Sequence, residues 1–237
     1  MHTKEDFAGW QMQGNRANQE DFYAFKQPDD GSVLAVVADG VGGHAAGQVA
    51  SKVAVEGFLE GFEHAEGSEA ARLSAGLKLA NRQVGAAVDA DPRNFTGMGT
   101  TLVAVHVKNE GLCWISVGDS PLYLFRRNAL ERLNADHSAA SLPAGFKLSR
   151  NVLLSALTGE RIPLVDAPRK MRPLQFGDLV IAASDGLLTL SDEEIVACCK
   201  RGKNRSAARI TADLLAAVTA KGKRYQDNTT VALIKIG

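Results

Sequence analysis

The chain has 237 residues, 45% of them hydrophobic, which is enough to bury one large core and implies one domain over residues 1–237. Its 27 Lys and Arg balance its 27 Asp and Glu, so there is no basic excess to hold a nucleic-acid backbone, and nucleic acid is not an expected partner. Residues Met1 to Asp6 lack the apolar stretch of a secretion signal, and the apolar runs are far shorter than a membrane span. The expectation is a cytoplasmic protein with no membrane partner. Cys113, Cys198 and Cys199 make no disulfide framework and suit burial in a reducing compartment.

In chain order, the patterning predicts strands near Phe7 to Gln13, Phe22 to Lys26 and Ser32 to Ala38, with a turn at Pro28 to Gly31. Two helices follow, the first with Ala50, Val53, Ala54, Gly57, Phe58 and Phe62 on one face. The second carries Leu73, Leu77, Ala80, Val84 and Val88, with Ser68 as its N-cap and Glu69 in its first turn. Strands return at Thr100 to Val107, Leu112 to Val117, Leu122 to Arg126 and Ala129 to Arg132, read as an antiparallel meander turning at Asn109 to Gly111 and around Arg127 and Asn128. The segment 134–151 is polar and irregular and is expected to lie mobile on the surface. Strands are then expected at Val152 to Ala156 and Leu179 to Ala183. Ser191 caps a helix through Cys199, a second helix spans Ser206 to Ala220, and the chain closes on a strand from Thr229 to Ile236. Helix pairs after two groups of strands imply an α+β fold, a four-layer α-β-β-α sandwich of two mostly antiparallel sheets.

Isolated aspartates recur at the borders of the apolar runs: Asp39 in V-V-A-D-G, Asp119 in V-G-D-S, Asp185 in A-A-S-D-G and Asp227 in D-N-T-T, with Asp21 in R-A-N-Q-E-D. A single Asp-Gly is usually a turn corner. The runs before Asp39 and Asp185, however, are continuously apolar and read as strands buried on both faces. A carboxylate at the tip of such a strand is costly without a partner. Several brought together would repel one another and raise their pKa values unless a cation neutralised them. An oxygen-only set suits Mg²⁺, Mn²⁺ or Ca²⁺ and disfavours zinc.

The ordered set R-x-x-x-E-D, A-D-G-x-G-G-H, G-T-T (Gly99 to Thr101), V-G-D-S, S-D-G and D-N-T-T resembles the metal-dependent Ser/Thr protein phosphatases of type 2C in their compact bacterial form. The likeness runs from about Gly14 to Thr230. It implies the same sandwich fold and a core site for two Mn²⁺ or Mg²⁺ ions. Asp21, Asp39, the Gly40 carbonyl and Asp227 are the implied ligands, with Asp185 in the cluster. Asp119 with Asp185 would take a third, weaker ion, although a capped turn is the alternative reading of Asp119. Glu20 and Asn228 would stand behind the ligands, Glu20 accepting from metal-bound water.

In such a centre two cations share a bridging water, lower its pKa and aim it at phosphorus. Arg16 supplies a planar donor fork for the phosphate oxygens. His44 is the candidate to protonate the leaving alkoxide. The family's eukaryotic members place a histidine directly after Asp-Gly, whereas Val41, Gly42 and Gly43 intervene here, so His44 is open as catalytic or not. His137 in D-H-S is read as structural. Pro121 stands where the family usually has arginine, and the segment from Asp136 to Gly159 is short. The expected substrate is a phosphorylated protein, with a cognate Ser/Thr kinase in opposition and the enzyme a monomer. The alternative is a phosphopeptide-binding regulator of the same fold without catalysis, which would be expected to have lost a metal aspartate. None is lost here.

Overall fold

The computed structural model describes residues 6–42, 45–143, 148–149 and 152–237. The elements in order are β1 (Asp6–Met12), β2 (Asp21–Lys26), β3 (Val33–Val41), α1 (Ala45–His64), α2 (Glu69–Ala90), a single turn α3 (Pro92–Phe95), β4 (Gly99–Thr100), β5 (Leu102–Lys108), β6 (Gly111–Val117), β7 (Leu122–Arg126) and β8 (Ala129–Arg132). They continue with β9 (Arg172–Pro173), β10 (Leu179–Ala183), a 3₁₀ turn over Asp185–Thr189, α4 (Asp192–Arg201), α5 (Ala207–Ala220) and β11 (Thr229–Lys235). One sheet has the order β1-β11-β10-β7-β8, and the other β2-β3-β5-β6-β9, with β4 paired to β3. Every pairing is antiparallel.

Strand alternation builds the layers. Val33, Ala35, Val37, Val103 and Val105 face Leu122, Leu124, Val180 and Ile234 between the sheets. The opposite face of β3 (Leu34, Val36, Ala38) meets Ala50, Ala54 and Phe58 of α1 and Leu73 and Leu77 of α2. Ile181, Ala183 and Leu233 meet Ile195 of α4 and Ile210 and Leu214 of α5. The result is the four-layer sandwich expected. Runs read as doubly buried occupy central strands, β3 between β2 and β5, and β10 between β11 and β7. Ser68, Ser191 and Ser206 cap their helices, Ser191 within a full capping box with Glu194.

Three expectations are corrected. The meander is broken, because β5 and β6 pair in one sheet while β7 and β8 pair in the other. The two hairpins form as read, each on a two-residue turn with positive φ (Asn109 and Glu110, Arg127 and Asn128). Between them the link Gly118–Pro121 crosses from sheet to sheet, carrying Asp119 to the rim of both. The strand over Val152 to Ala156 does not form. Only isolated bridges at Leu153 and Leu157 remain, because the Ser155 hydroxyl binds the Leu164 backbone, accepting from its N at 3.1 Å and donating to its O at 2.8 Å, in place of a ladder. Thirdly, the segment 134–151 is anchored at its start, where Asn134, His137, Ser138 and Ala139 are buried. Asn134 accepts from Leu122 N at 2.8 Å and donates to Ser120 O at 2.9 Å. Residues 144–147, 150 and 151 of that segment lie outside the described residues. The short strand β9 went unread because it has two residues, one of them a proline tolerated at a sheet edge.

Candidate active site

Antiparallel register brings the first two aspartates together: Asp21 opens β2 directly opposite Asp39 near the end of β3. Asp185 begins the turn after β10, and Asp227 lies just before β11. Asp119 sits in the crossing between the sheets. One rim of the sandwich therefore collects all five. A cavity of 470 Å³ opens there, lined by Asp39, Asp119, Asp185, Asp227, Glu20 and Arg16 among others.

Asp21 lies beneath that cavity, 2% exposed, and ties the sheets together. Its Oδ2 accepts from the Ser184 hydroxyl at 2.7 Å and the Thr230 hydroxyl at 2.8 Å, both from the opposite sheet. Its Oδ1 is buried with no partner, which is costly for a carboxylate oxygen unless a ligand takes it. The Asp39 carboxyl neighbours both Asp21 and Asp185 closely enough to perturb their ionisation. Thr101 holds its backbone, Oγ1 accepting from Asp39 N at 3.0 Å while sharing a 2.7 Å bond with the Ser120 hydroxyl.

The electrostatics are those of an acid cluster awaiting positive charge. Burial, opposed by the Ser184 and Thr230 hydroxyls, pushes Asp21 up to about 6. Burial, then repulsion from Asp119, Asp227 and Asp21, pushes Asp185 up to about 7. Asp39 is raised well above the usual carboxylate range by burial and by Asp21, Asp185, Asp119 and Asp227. Asp119 is raised chiefly by burial.

Arg16 stands at the lip, its guanidinium 2.6 Å from Asp227 Oδ2, and this hydrogen bond raises its pKa. Its loop is zipped to the Asp227 loop through buried Asn228. Asn228 accepts from Glu20 N at 2.8 Å and donates to Gln13 O at 2.8 Å and Asn18 O at 2.9 Å. Gly14, at φ +63°, lets this zip close, since a Cβ there would stand 2.5 Å from the carbonyls of Gln226 and Asp227. Gly40 serves a different need than a turn: it extends β3, and a Cβ would strike the Gly47 carbonyl in the first turn of α1. Gly40 N donates to the Glu20 carbonyl at 3.1 Å, which fixes Glu20 beside the cavity.

Of the residues singled out in the sequence, Arg16, Glu20, Asp39, Gly40, Asp119, Asp185, Asp227 and Asn228 line one cavity, and Asp21 lies under it. His44 lies outside the described residues. His137 is buried and its Nδ1 accepts from Gly118 N at 3.3 Å, bracing the Asp119 link. Ser184 and Thr230 were overlooked as supports of Asp21. The available signal was a hydroxyl directly before Asp185 and another three residues after Asp227, each at the end of a buried strand.

An oxygen-only carboxylate cluster where two sheet rims meet, with an arginine at its lip, has the donor chemistry that hard divalent cations prefer and a positive group for an anion. The protein phosphatase 2C model matches residues 8–220, and the chain belongs to that family. It is 33% identical over 194 residues to the serine/threonine protein phosphatase PstP of Mycobacterium tuberculosis, covering 76% of this chain and 36% of that protein. The chain thus spans about a third of the length of that relative. The serine/threonine phosphatase stp of Listeria welshimeri is 29% identical over 235 residues, covering 93% of this chain and 91% of its own. Among solved structures, the catalytic domain of PstP in complex with two manganese ions superposes with a TM-score of 0.79, at 28% identity and 98% coverage of both chains.

The residues fit such ions. Among the described residues no three acidic, His or Cys side chains form a complete ligand set for one ion. The fit to hard cations rests instead on the oxygen-only donors and on the buried, unpartnered Asp21 Oδ1. Neutralisation would relieve the mutual repulsion of Asp21, Asp39 and Asp185 and would satisfy the orphaned Asp21 Oδ1.

Proposed function

We propose that this chain is a metal-dependent protein phosphatase that hydrolyses phosphoserine and phosphothreonine, acting as one catalytic domain, monomeric and cytoplasmic, against a Ser/Thr kinase. The observation that carries this reading is the convergence of five aspartates and Arg16 on one rim of a family fold. Asp21, Asp39, the Gly40 carbonyl and Asp227 would hold two Mn²⁺ or Mg²⁺ ions, with Asp119 and Asp185 serving a third. When bound, the ions supply positive charge against the phosphoryl oxygens and make water a nucleophile near neutral pH.

The chain's own groups do the rest. Arg16 presents its donor fork to two phosphoryl oxygens, a geometry that lysine does not reproduce. Its approach is set by the Asn228 zip, which fixes residues 13–20 against the Asp227 loop. Ser184 and Thr230 favour the ionised form of Asp21 and fix its rotamer, leaving Oδ1 available to ligate a cation. No cysteine is placed to act as nucleophile. Cys113, Cys198 and Cys199 are all buried, and burial pushes the Cys199 thiol up to about 12. A direct attack by water accords with that arrangement. The test is phosphate release from a phosphothreonine peptide: Mn²⁺ or Mg²⁺ should support it and excess chelator should abolish it. Full release in chelator would overturn the metal assignment, and metal-supported peptide binding without release would favour the regulator reading.

A further inference from the structure

Helix α5 ends at Ala220, and Lys221 to Tyr225 run exposed over the surface before Gln226 turns inward and Asp227 reaches the cavity. This loop is fastened to the loop that presents Arg16. Asn15 N donates to Gln226 O at 2.8 Å, and Gln226 N donates to Asn15 Oδ1 at 3.2 Å. It is also fastened to the turn that begins at Asp185, because Lys223 Nζ donates to the Thr189 hydroxyl at 3.1 Å and that hydroxyl donates to Gln226 Oε1 at 2.9 Å. Tyr225 lies two residues and Arg224 three residues before Asp227, within about 7 and 11 Å of chain, and the Asn15–Gln226 backbone bond ties this stretch to the Arg16 loop.

Two of the three charges on this loop are not spent inside the protein. Lys221 is paired with Glu194 at 2.6 Å. Lys223 and Arg224 have no carboxylate partner among the described residues, Lys223 having only a hydroxyl and Arg224 only the Tyr225 ring, 5.3 Å from its guanidinium. Tyr225 is 80% exposed, a large aromatic left in water beside a site for an anion. A surface lysine or arginine alone signifies solvation. Two unpaired cations and an exposed ring, held by backbone bonds to the phosphate-clamping loop, have instead the composition of a peptide-recognition edge.

We propose that Lys223, Arg224 and Tyr225 form a recognition lip for acidic residues flanking the phosphorylated residue of a protein substrate. The proposal rests on the phosphatase reading and adds a substrate class to it. Phosphate enters between Arg16 and the aspartate cluster, so peptide leaving on the Arg16 side passes this lip. Acidic side chains there meet two positive charges, and the Tyr225 ring covers their methylenes. Each exposed pair is weak, so two together should favour an acidic flank by about fivefold, declining as salt screens them.

The experiment uses phosphothreonine peptides whose flanks carry Asp and Glu on either side, or Asn and Gln at the same positions. The ratio of kcat/KM, acidic over neutral, is measured for the Mn²⁺-loaded wild type, for Lys223→Gln with Arg224→Gln, and for the charge-conserving pair Lys223→Arg with Arg224→Lys. Binding of the same peptides with a non-hydrolysable phosphonate in place of the phosphate is read in parallel by fluorescence anisotropy. The wild-type ratio should be about five at low ionic strength, fall to near one in the neutral variant and persist in the conserved-charge variant. A wild-type ratio of one, or one unaltered by Lys223→Gln with Arg224→Gln, in both hydrolysis and binding, overturns the lip. Acidic preference in binding without any hydrolysis supports the lip and overturns only the phosphatase reading.

Discussion

Replacing Thr230 by Val removes one of two hydroxyls that hold Asp21 and changes little else, because the side chains are nearly isosteric and Thr230 is wholly buried. The 2.8 Å bond runs from a neutral donor to a carboxylate, a class worth about 1.5–3 kcal/mol. Lost from the ionised form alone, that energy raises the carboxyl pKa by about one to two units, since one unit is about 1.4 kcal/mol. Burial already holds Asp21 at about 6, so at pH 7 the variant would carry Asp21 half or more protonated, and a metal ion would have to displace that proton. Mn²⁺ affinity should therefore fall by about tenfold or more at pH 7, the usual scale for losing a ligand's supporting bond. Part of the loss should be recovered at pH 8.5, where the carboxyl ionises again. Isothermal titration calorimetry of Mn²⁺ at both pH values, with circular dichroism to verify the fold, measures it. Ser184→Ala should cost as much affinity and also folding stability, about 1–3 kcal/mol, because the Ser184 hydroxyl accepts from Thr230 N at 2.9 Å and that buried N–H would be left unpaired. An Mn²⁺ dissociation constant unchanged within twofold in Thr230→Val would refute the reasoning.

Arg16→Ala should raise KM and lower kcat/KM on phosphopeptides, and Arg16→Lys should restore only part of the loss, as steady-state kinetics will read. In metal-free protein, Asp21 (about 6) and Asp185 (about 7) lie above the ordinary carboxylate value. The folded state therefore binds more protons than the unfolded one across that window, and stability falls as pH rises from about 4 through 7. The metal-free melting temperature should be about 5 °C higher at pH 5.5 than at pH 8. Saturating Mn²⁺ should remove or reverse that difference, because it binds the ionised carboxylates. Asn134→Ala should lower stability by about 2–4 kcal/mol in urea melts, since it leaves Leu122 N and Ser120 O unpaired in a buried setting.

The layers were legible because β3 and β10 are apolar on both faces, a pattern that only central strands under helices satisfy. The helices announced themselves through the Ser68 and Ser191 caps and through apolar faces such as Ala50, Ala54 and Phe58. What stayed hidden was decided by tertiary bonds. Val152 to Ala156 has strand composition, yet Ser155 spends its hydroxyl on the Leu164 backbone. Residues 134–139 look like loop, yet Asn134 and His137 satisfy the backbone of the inter-sheet link. In the site, the acidic motifs were readable one by one, and hydroxyls stood beside Asp185 and Asp227, but that Ser184 and Thr230 bond to Asp21 is decided across the two sheets and is not specified by local sequence. The Arg16 contact with Asp227 spans 211 positions and likewise depends on closure of the fold.

The central claim is that the aspartate cluster serves metal-dependent phosphate hydrolysis at the expense of stability, and Asp39→Asn tests it most directly. Asp39 is raised well above the ordinary range by burial and by four neighbouring aspartates, so in metal-free protein a neutral asparagine there removes a carboxyl whose ionised form the site disfavours. The measurement pairs the metal-free melting temperature at pH 8 with phosphate release from a phosphothreonine peptide in saturating Mn²⁺, for wild type and Asp39→Asn. The account predicts a melting temperature equal to or above wild type together with abolished phosphate release. Wild-type release in the folded Asp39→Asn protein would contradict it.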